Sequence, residues 1–332
     1  MPSSLVIQTS FLGDVVLTTP LLVQLARRGP VDVVTTPESA PLLANHPAVR
    51  ALIVYDKRGA DGGLGGFVRI ARALRRERYD AAFLAQGSLR SGALAFVAGI
   101  PSRFGFRTSA GRWFYTKRVD YREDLHHAAR LLMLARPNGR EPAAEELQPS
   151  LFPGEAERRR VDTLLGGTGE PFIALAPGSV WATKRWPYYA ELAALLRPHA
   201  RIVVVGGGGD ATLGEAISAA VPDAVDTTGQ LSLLASAELI ARASVLVTND
   251  SAPQHLASAM ATPTVSIFGP TVPEFGFGPL SPASIVVGKS DLACRPCDRH
   301  GPARCPLGHH HCMRHVSARE VADAVLALSA GR

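Results

Sequence analysis

The sequence is poor in charged and aromatic residues, which make up 19% and 6% of its 332 residues, whereas 46% are hydrophobic. A chain with so few charges and so many apolar residues is not disordered, and its length predicts about two domains. The longest uncharged stretch, 251–273, contains four prolines. Proline interrupts helices, so this stretch is not expected to span a membrane.

The N-terminal residues carry no basic region, long apolar stretch or cleavage site before the strand-like run at 5–7. We therefore expect no signal peptide and a cytoplasmic protein. Only four of the 35 basic residues are lysines, so a lysine within a phosphate-binding pattern is informative. Residues 1–150 contain 20 Lys and Arg against 13 Asp and Glu, net +7, and the remainder is net −1. The basic half predicts an anionic partner, such as nucleic acid, acidic lipid or a charged substrate.

Apolar strand-like runs alternate with helix-like segments in both halves of the chain. The predicted strands of the first half are 5–8, 31–35, 51–55 and 81–84, and its helices are 15–28, 41–44, 65–78 and 92–98. A stretch rich in Pro, Glu and Gly, 137–153, is the predicted linker. The predicted strands of the second half are 172–176, 201–205, 245–248 and 264–268, and its helices are 155–165, 188–196, 211–220, 232–243, 253–261 and 317–330.

This alternation predicts an α/β protein of two Rossmann-like, doubly wound domains, 1–153 and 154–332, that face a cleft. Ligands of such parallel sheets bind at the carboxyl ends of the strands.

Asp14 ends the loop between the first predicted strand and helix. An aspartate before an apolar helical run is a favoured N-cap, and a helix N-terminus stabilises its carboxylate. A carboxylate in this position can alternatively act as a general base. The residues alone leave both roles open.

The loop 176–187 runs from small and hydroxylated residues to Lys184 and then to Trp186-Pro187 at the start of a helix. Backbone amides, hydroxyl groups and a lysine ammonium together can hold a diphosphate. The spacing is not that of a P-loop. The alternative is a surface loop with a solvated Lys184–Arg185 pair.

Four consecutive glycines, 206–209, follow another predicted strand, and Ala211 completes a dinucleotide-binding pattern. Asp226, 15 residues beyond Ala211, would be the acidic ribose ligand of that pattern. A glycine run satisfies many patterns by chance, so a tight turn with close backbone packing is the favoured interpretation.

The loop 248–255 also joins a strand to a helix, with Asp250 or Ser251 as the predicted cap and Pro253 in the first turn. The free amides of such a turn can bind a phosphate or a ribose. His255 is a candidate diphosphate contact, with a structural role as the alternative.

All four cysteines lie within 19 residues, at Cys294, Cys297, Cys305 and Cys312, with five histidines nearby. Disulfides are not expected in a reducing compartment, so a structural zinc bound by four thiolates is a candidate. The spacing is not that of a standard zinc finger, and free or redox-sensitive thiols are the alternative. We do not expect a catalytic metal.

Taken together, these motifs resemble those of the ADP-heptose:lipopolysaccharide heptosyltransferases, glycosyltransferase family 9. The resemblance covers nearly the whole chain and several motifs in order. They are residues 10–14, 99–107, 177–178 with 184–187, 248–251 with His255, and 268–271.

The resemblance implies the two-domain GT-B fold, with the acceptor on the first domain, ADP-heptose on the second, and a final helix that can cross back to the first. Asp14 resembles the catalytic base and Lys184 the diphosphate ligand of the family. The other donor-binding positions that it implies are Ser179, Val180, Asp210, Leu231, Asp250, Ser251 and His255.

The implied reaction is an inverting transfer of heptose from ADP-L-glycero-D-manno-heptose to the lipopolysaccharide inner core, onto its first heptose. The chemistry needs no cofactor, because Lys184 and helix amides stabilise the diphosphate. The anionic acceptor, lipid A with Kdo and heptose, fits the basic half. Its candidate ligands are Arg58, Arg90, Arg103 and Arg107. Such an enzyme contacts the cytoplasmic face of the inner membrane and binds no nucleic acid.

Two other functions remain open from the residues. One is a nicotinamide-dependent oxidoreductase that uses the glycine run 206–209. The other is a protein whose basic half binds nucleic acid or an anionic surface.

Overall fold

The computed structural model describes residues 1–136, 139–167 and 169–330. The chain divides into two compact units, Met1–Phe152 and Pro153–Arg332. Pro137 and Asn138, at the start of the expected linker, lie outside the described residues. In the described part of the chain, no helix has the length and apolar character needed to cross a membrane.

The first unit is a six-stranded parallel sheet with strand order β3-β2-β1-β4-β5-β6. The apolar runs of β1, β2 and β4 are almost entirely buried, as expected for strands covered by helices on both faces. The strands are β1 Ser4–Ile7, β2 Val31–Thr35, β3 Ala51–Val54, β4 Ala81–Leu84, β5 Ser102–Phe106 and β6 Lys117–Val119. The helices are α1 Leu12–Ala26, α2 Gly63–Glu77, α3 Leu89–Val97 and α4 His127–Met133, with 3₁₀ turns at Ala40–Leu43, Arg112–Phe114 and Ala144–Leu147.

The first two-thirds of this unit follow the predicted alternation, but three elements were not predicted: β5, β6 and α4. The edge strand β6 is short and mostly exposed and begins with Lys117-Arg118, so it lacks the apolar run by which buried strands are recognised. Helix α1 begins three residues earlier than expected, with Phe11 as its N-cap. The prediction that Asp14 precedes the helix is therefore wrong.

Part of the expected linker is packed against the first unit. The Ser150 amide donates to Thr19 Oγ1 at 3.0 Å, and Asn45 Nδ2 donates to the Phe152 carbonyl at 3.1 Å. The rings of His46 and Phe152 meet edge to face, with centroids 5.0 Å apart. These contacts fix residues 150–152 on the first unit.

The second unit is also a six-stranded parallel sheet, with strand order β12-β11-β10-β7-β8-β9. Of these strands, β9 and β12 were not predicted, because one has two residues and the other is a partly exposed edge strand. The strands are β7 Phe172–Ala176, β8 Arg201–Val204, β9 Val225–Asp226, β10 Val245–Asn249, β11 Thr264–Ile267 and β12 Ser284–Val287. The helices are α5 Glu155–Leu165, α6 Tyr189–Leu196, α7 Ala211–Ala220, α8 Leu233–Arg242, α9 Ala252–Ala259, α10 His311–Arg314 and α11 Ala318–Ala330.

The final helix, α11, is capped as its sequence predicts. Ser317 Oγ accepts from the Glu320 amide at 3.2 Å, and Glu320 Oε2 accepts from the Ser317 amide at 2.8 Å. Val321 and Val325 are fully buried in the core of the second unit. Helix α11 therefore closes one face of the second sheet.

The direction in which strands are added reverses at one point in each sheet, between β1 and β4 and between β7 and β10. Connections leave this point toward opposite faces, which opens a crevice beyond the carboxyl ends of the two strands. Each unit therefore has one position at which its topology favours ligand binding.

Candidate functional site

In the first unit, Asp14 lies in the first turn of α1, just beyond the carboxyl end of β1. Its Oδ2 accepts a hydrogen bond from Ser10 Oγ at 2.7 Å, and its Oδ1 lies 3.6 Å from His127 Nε2. The hydroxyl of Ser10 is also 2.7 Å from Gln8 Oε1. The Asp14 side chain is 17% exposed. These contacts orient the carboxylate while leaving it accessible to a ligand.

A lysine that the sequence did not single out as a ligand lies beside this loop. Lys57 Nζ donates to the Thr9 carbonyl at 2.8 Å and to Thr9 Oγ1 at 3.0 Å. Burial, together with the positive charges of Arg58 and Arg90, lowers the pKa of Lys57 below its ordinary value. Three cations thus share one region, next to the loop that carries Asp14, and an anion there would relieve their repulsion.

The four candidate acceptor arginines occupy different environments. Arg58 is exposed, and Arg90, in the first turn of α3, donates to the Tyr55 hydroxyl and to the Asp61 and Gly63 carbonyls.

The other two arginines belong to β5 or follow it. Arg103 Nε donates to the Phe114 carbonyl at 2.5 Å, and its guanidinium also bonds to the Ile100 carbonyl. Arg103 therefore ties β5 to the neighbouring turn. Arg107 follows the carboxyl end of β5 and pairs with Asp120 at the surface, with 2.8 Å between Nε and Oδ1. Of Arg103 and Arg107, it is Arg107 that lies at the carboxyl edge of the sheet, where ligands bind.

In the second unit, Lys184 is buried in the loop after β7, with its residue 8% exposed. Its Nζ lies 2.6 Å from Asp250 Oδ2, and Thr271 Oγ1 donates to the same oxygen at 2.6 Å. These residues follow β7, β10 and β11, so they meet at the carboxyl edge of the sheet. An ammonium has three N–H donors, and its bond to Asp250 uses one. The surface-loop interpretation of Lys184 is therefore wrong.

The loop that carries Lys184 is held by Asn249, the last residue of β10. Asn249 Oδ1 accepts from the Trp186 amide at 3.2 Å, and its Nδ2 donates to the Pro177 carbonyl at 2.8 Å. Within the loop, the Ser179 carbonyl accepts from Arg185 Nε at 2.8 Å. Val180 is 79% exposed and has no polar side-chain atom, so only its backbone can bond to a phosphate.

Asp210 meets this loop from the glycine run. A Cβ placed on Gly178 would lie 2.4 Å from Asp210 Cγ, so the aspartate packs directly against the loop backbone. Asp210 Oδ2 also accepts from the Gly207 amide at 2.9 Å. Asp210 is thus beside the candidate diphosphate loop.

The glycine run does not form the dinucleotide site that was the alternative to a tight turn. It follows β8, whereas the point at which the sheet reverses direction lies between β7 and β10. Asp226 Oδ1 accepts a hydrogen bond from the Thr228 amide at 2.9 Å. A Cβ placed on Gly214 would lie 2.4 Å from Asp226 Oδ2. The acidic residue therefore packs against α7. Close packing explains Gly206 and Gly229, where a Cβ would lie 3.0 Å from Asp210 Cβ and from Gly208 Cα respectively. A Cβ on Gly208 or Gly209 would meet no atom within 4 Å.

At the start of α9, neither predicted cap makes a capping bond. Asp250 is engaged by Lys184, and the Ser251 hydroxyl lies 3.4 Å from both Thr248 Oγ1 and the Asn249 carbonyl. His255 is buried within the helix at 5% exposure, and Leu231 is half-buried just before α8. The amide end of α9 lies beside Asp250, at the same edge as Lys184.

The four cysteines line one cavity of about 260 Å³, together with His309. Burial alone would raise the pKa of the Cys305 thiol, but hydrogen bonds from the amides of residues 307–310 outweigh it and hold that pKa below its ordinary value. Burial raises the pKa of Cys312 to about 11, with a further contribution from the other thiols. Among the described residues, no three His, Cys, Asp or Glu side chains are positioned to hold a metal ion.

Comparison with known proteins gives this arrangement a family. Residues 67–306 match the family model of glycosyltransferase family 9 (heptosyltransferase). The chain belongs to glycosyltransferase family 9. It is 32% identical to lipopolysaccharide heptosyltransferase 2 of Escherichia coli K12 over 294 residues, which are 82% of this chain and 84% of the relative. It is 30% identical to lipopolysaccharide heptosyltransferase 1 of Pseudomonas aeruginosa over 311 residues, covering 88% and 85%.

The structure of this family 9 glycosyltransferase is similar to that of E. coli ADP-heptose LPS heptosyltransferase II. The TM-score is 0.82 at 28% sequence identity, and the match covers 100% of this chain and 99% of the other. These similarities confirm the predicted GT-B fold and glycosyltransferase activity. They favour the heptosyltransferase II branch and give no support to the oxidoreductase and nucleic-acid alternatives.

Three residues of the candidate site in this family 9 glycosyltransferase were missed in the sequence. Lys57 contacts Thr9 in the loop before Asp14, His127 contacts Asp14 itself, and Thr271 contacts Asp250, each from a distant segment of the chain. The rarity of lysine was a signal for Lys57. His127 begins a helix that was not predicted, so its position had no signal in the sequence.

Proposed function

We propose that this family 9 glycosyltransferase transfers heptose from ADP-L-glycero-D-manno-heptose to the first heptose of the lipopolysaccharide inner core. The observation that carries the proposal is the buried Lys184, whose ammonium meets Asp250 at the ligand-binding edge of the second sheet. A buried lysine at this edge, beside the amide end of a helix, suits a diphosphate.

The donor site that we propose is built around this lysine. Lys184 and the backbone of Ser179 and Val180 hold the diphosphate, and the amides near Ser251 add positive potential. Asp250 positions Lys184, and His255 supports the same helix turn.

Asp210, which packs against Gly178, is proposed as the ribose ligand of the donor. Leu231 is proposed as an apolar neighbour of the adenine.

The chemical step that we propose is an inverting displacement with Asp14 as general base. The acceptor hydroxyl attacks the anomeric carbon as the bond from that carbon to the diphosphate oxygen breaks on the opposite side. The hydroxyl proton moves to the Asp14 carboxylate, and ADP leaves as the anion. Ser10 and His127, which contact the two carboxylate oxygens, orient the base. Lys184 stabilises the charge that develops on the diphosphate, so the step needs no cofactor.

The acceptor side of the proposal rests on positive charge in the first unit. Three cations lie near the Asp14 loop, namely Lys57, Arg58 and Arg90. A fourth, Arg107, follows β5. An inner core that carries carboxylates and phosphates complements these cations. Arg103, which bonds to backbone carbonyls, acts by supporting β5. Because this acceptor is anchored in lipid A, we propose that the enzyme works at the cytoplasmic face of the inner membrane.

The test is incubation of the purified protein with ADP-heptose and lipid A–Kdo acceptors that carry no heptose, one heptose or two. Mass spectrometry is expected to detect one added heptose only on the acceptor with one, with an equal amount of ADP released. Transfer to the heptose-free acceptor would assign the enzyme to the preceding step. Release of no ADP with any acceptor would contradict the proposed function.

We also propose that the four cysteines, which line one cavity, bind the candidate structural zinc.

A further inference from the structure

The cysteine-rich segment, defined here as Cys294–Cys312, contacts the proposed phosphate ligand directly. Gly301 is buried, and a Cβ placed on it would lie 3.0 Å from Lys184 Cε. Thr183, next to the lysine, donates from Oγ1 to the Pro302 carbonyl at 2.5 Å, and its own carbonyl is 2.7 Å from His310 Nε2. The segment therefore forms one wall of the lysine's environment.

A second contact ties the segment to the residues after β11. The Cys297 amide donates to the Pro270 carbonyl at 2.9 Å, next to Thr271, which bonds to Asp250. The segment thus touches two of the groups around the Lys184–Asp250 pair. A shift of the segment would be felt at the phosphate site.

Little regular structure holds this wall in place. Residues 288–310 contain neither helix nor strand, and loops of this length without secondary structure are uncommon in compact domains unless something else orders them. Hydrogen bonds and packing anchor its C-terminal end, because Cys312 and Met313 belong to the core of the second unit. The remainder is held at separate points, by the bonds at Cys297 and Pro302 and by Arg295, which donates to the Phe268 and Thr271 carbonyls. A bound cation would connect these points.

The four sulfurs are the groups that could hold such a cation. All of them line one cavity of about 260 Å³, together with His309. Thiolates select zinc and similar soft cations over Mg²⁺ or Ca²⁺.

We propose that a thiophilic divalent cation, bound by Cys294, Cys297, Cys305 and Cys312, fixes the cysteine-rich segment against Lys184, so that affinity for ADP depends on metal occupancy. The inference rests on the proposed donor site. The metal touches neither ADP nor the reacting atoms. Because no three ligand side chains are at present positioned for a metal among the described residues, binding must draw the sulfurs together and tighten the segment.

The direct test uses Zn²⁺ and protein purified without a histidine tag. One sample is stripped with a chelator and desalted, and a second is reloaded with zinc and desalted, so that free zinc does not complex ADP. We expect one zinc per chain and an ADP dissociation constant about tenfold or more weaker in the stripped sample, within the usual range of coupling between sites. Substitution with Co²⁺ should give the absorption bands of tetrahedral thiolate coordination.

A pair of glycine variants tests the contact without changing a cysteine. Gly301 has φ +86°, and Gly301→Ala places a methyl group against Lys184. Gly166→Ala is the matched control, because Gly166 has φ +72° in the same unit but no atom within 4 Å of the added methyl group. We expect only Gly301→Ala to weaken ADP binding, by about tenfold, while both variants still bind one zinc.

The outcomes separate this inference from the proposed function. Binding of less than about half an equivalent of zinc would overturn the metal site. Equal ADP affinity of loaded and stripped protein would overturn the coupling and leave the donor site standing. Failure of the zinc-loaded protein to bind ADP at all would contradict the proposed function, and this inference with it.

Discussion

The buried ion pair of Lys184 and Asp250 allows the structural and ligand-binding roles of the lysine to be separated. The atoms Nζ and Oδ2 are 2.6 Å apart, and both side chains are 10% exposed. The substitution Lys184→Gln removes the cation and leaves a buried carboxylate with Thr271 as its donor. Loss of one partner of a buried pair typically costs about 3–5 kcal/mol. We expect the free energy of unfolding of the second unit to fall by that amount.

Adding Asp250→Asn to this variant removes the uncompensated charge. The asparagine can still accept from Thr271, so the double variant should regain stability to within about 1 kcal/mol of the parent. Its affinity for ADP should not recover. A charge-assisted bond to phosphate contributes about 1.5–3 kcal/mol, which corresponds to a dissociation constant about 10- to 150-fold weaker.

The assay combines urea unfolding with calorimetric titration of ADP on the parent, the two single variants and the double variant. Asp250→Asn alone completes the cycle and measures the contribution of the carboxylate. If ADP affinity recovers together with stability, Lys184 supports the fold only and is not a phosphate ligand. If Lys184→Gln leaves stability unchanged, the buried pair does not have the energetic role assigned to it.

Two further predictions concern the separate units. Burial lowers the pKa of His46 to about 4. The His46 imidazole therefore binds a proton more readily in the unfolded chain than in the folded one. The free energy of unfolding should fall by about 3 kcal/mol as the pH drops from 6.5 to 4. His46→Asn preserves an acceptor for the Ala48 amide but does not titrate, and its unfolding free energy should vary less over this range; an unchanged pH profile would refute the assignment. Gly178→Ala should displace Asp210 and weaken ADP binding about tenfold, whereas Gly209→Ala, with no atom within 4 Å, should bind ADP like the parent in the same titration.

The parts of the fold that were predictable from the sequence are those whose environment is uniform. Strands β2, β4 and β7 were predicted with the observed bounds. Strands β4 and β7 have the continuous apolar run of a strand covered on both faces, and in β2 only the buried Asp32 interrupts it before Thr35. The edge strands β6 and β12 were missed because exposed positions interrupt their apolar residues. A local sequence pattern indicates whether a strand is buried. It indicates much less about whether the strand lies at the edge of a sheet.

For the candidate site, individual residues were predictable from the sequence, whereas the contacts between them were not. Lys184 and Asp250 were found because each stands in a loop between a strand and a helix. Their mutual bond, and the addition of Thr271, depend on strands that are distant in sequence but adjacent in the sheet. The start of α1 was misplaced because Leu12 and Gly13 gave no capping signal. Asp14 consequently appeared to precede the helix that contains it.

The most direct test of the account is the rate of heptose transfer by Asp14→Asn. Asparagine can still bond to Ser10, and loss of a charge at a helix N-terminus typically lowers stability by about 0.3–1 kcal/mol. Folding and ADP affinity, measured on the same sample, should therefore remain close to those of the parent.

If Asp14 accepts the proton, turnover with ADP-heptose and the one-heptose acceptor should fall about 10²- to 10⁴-fold, as for loss of a general base. Turnover within about threefold of the parent would contradict the role of Asp14, because loss of a true base has a much larger effect.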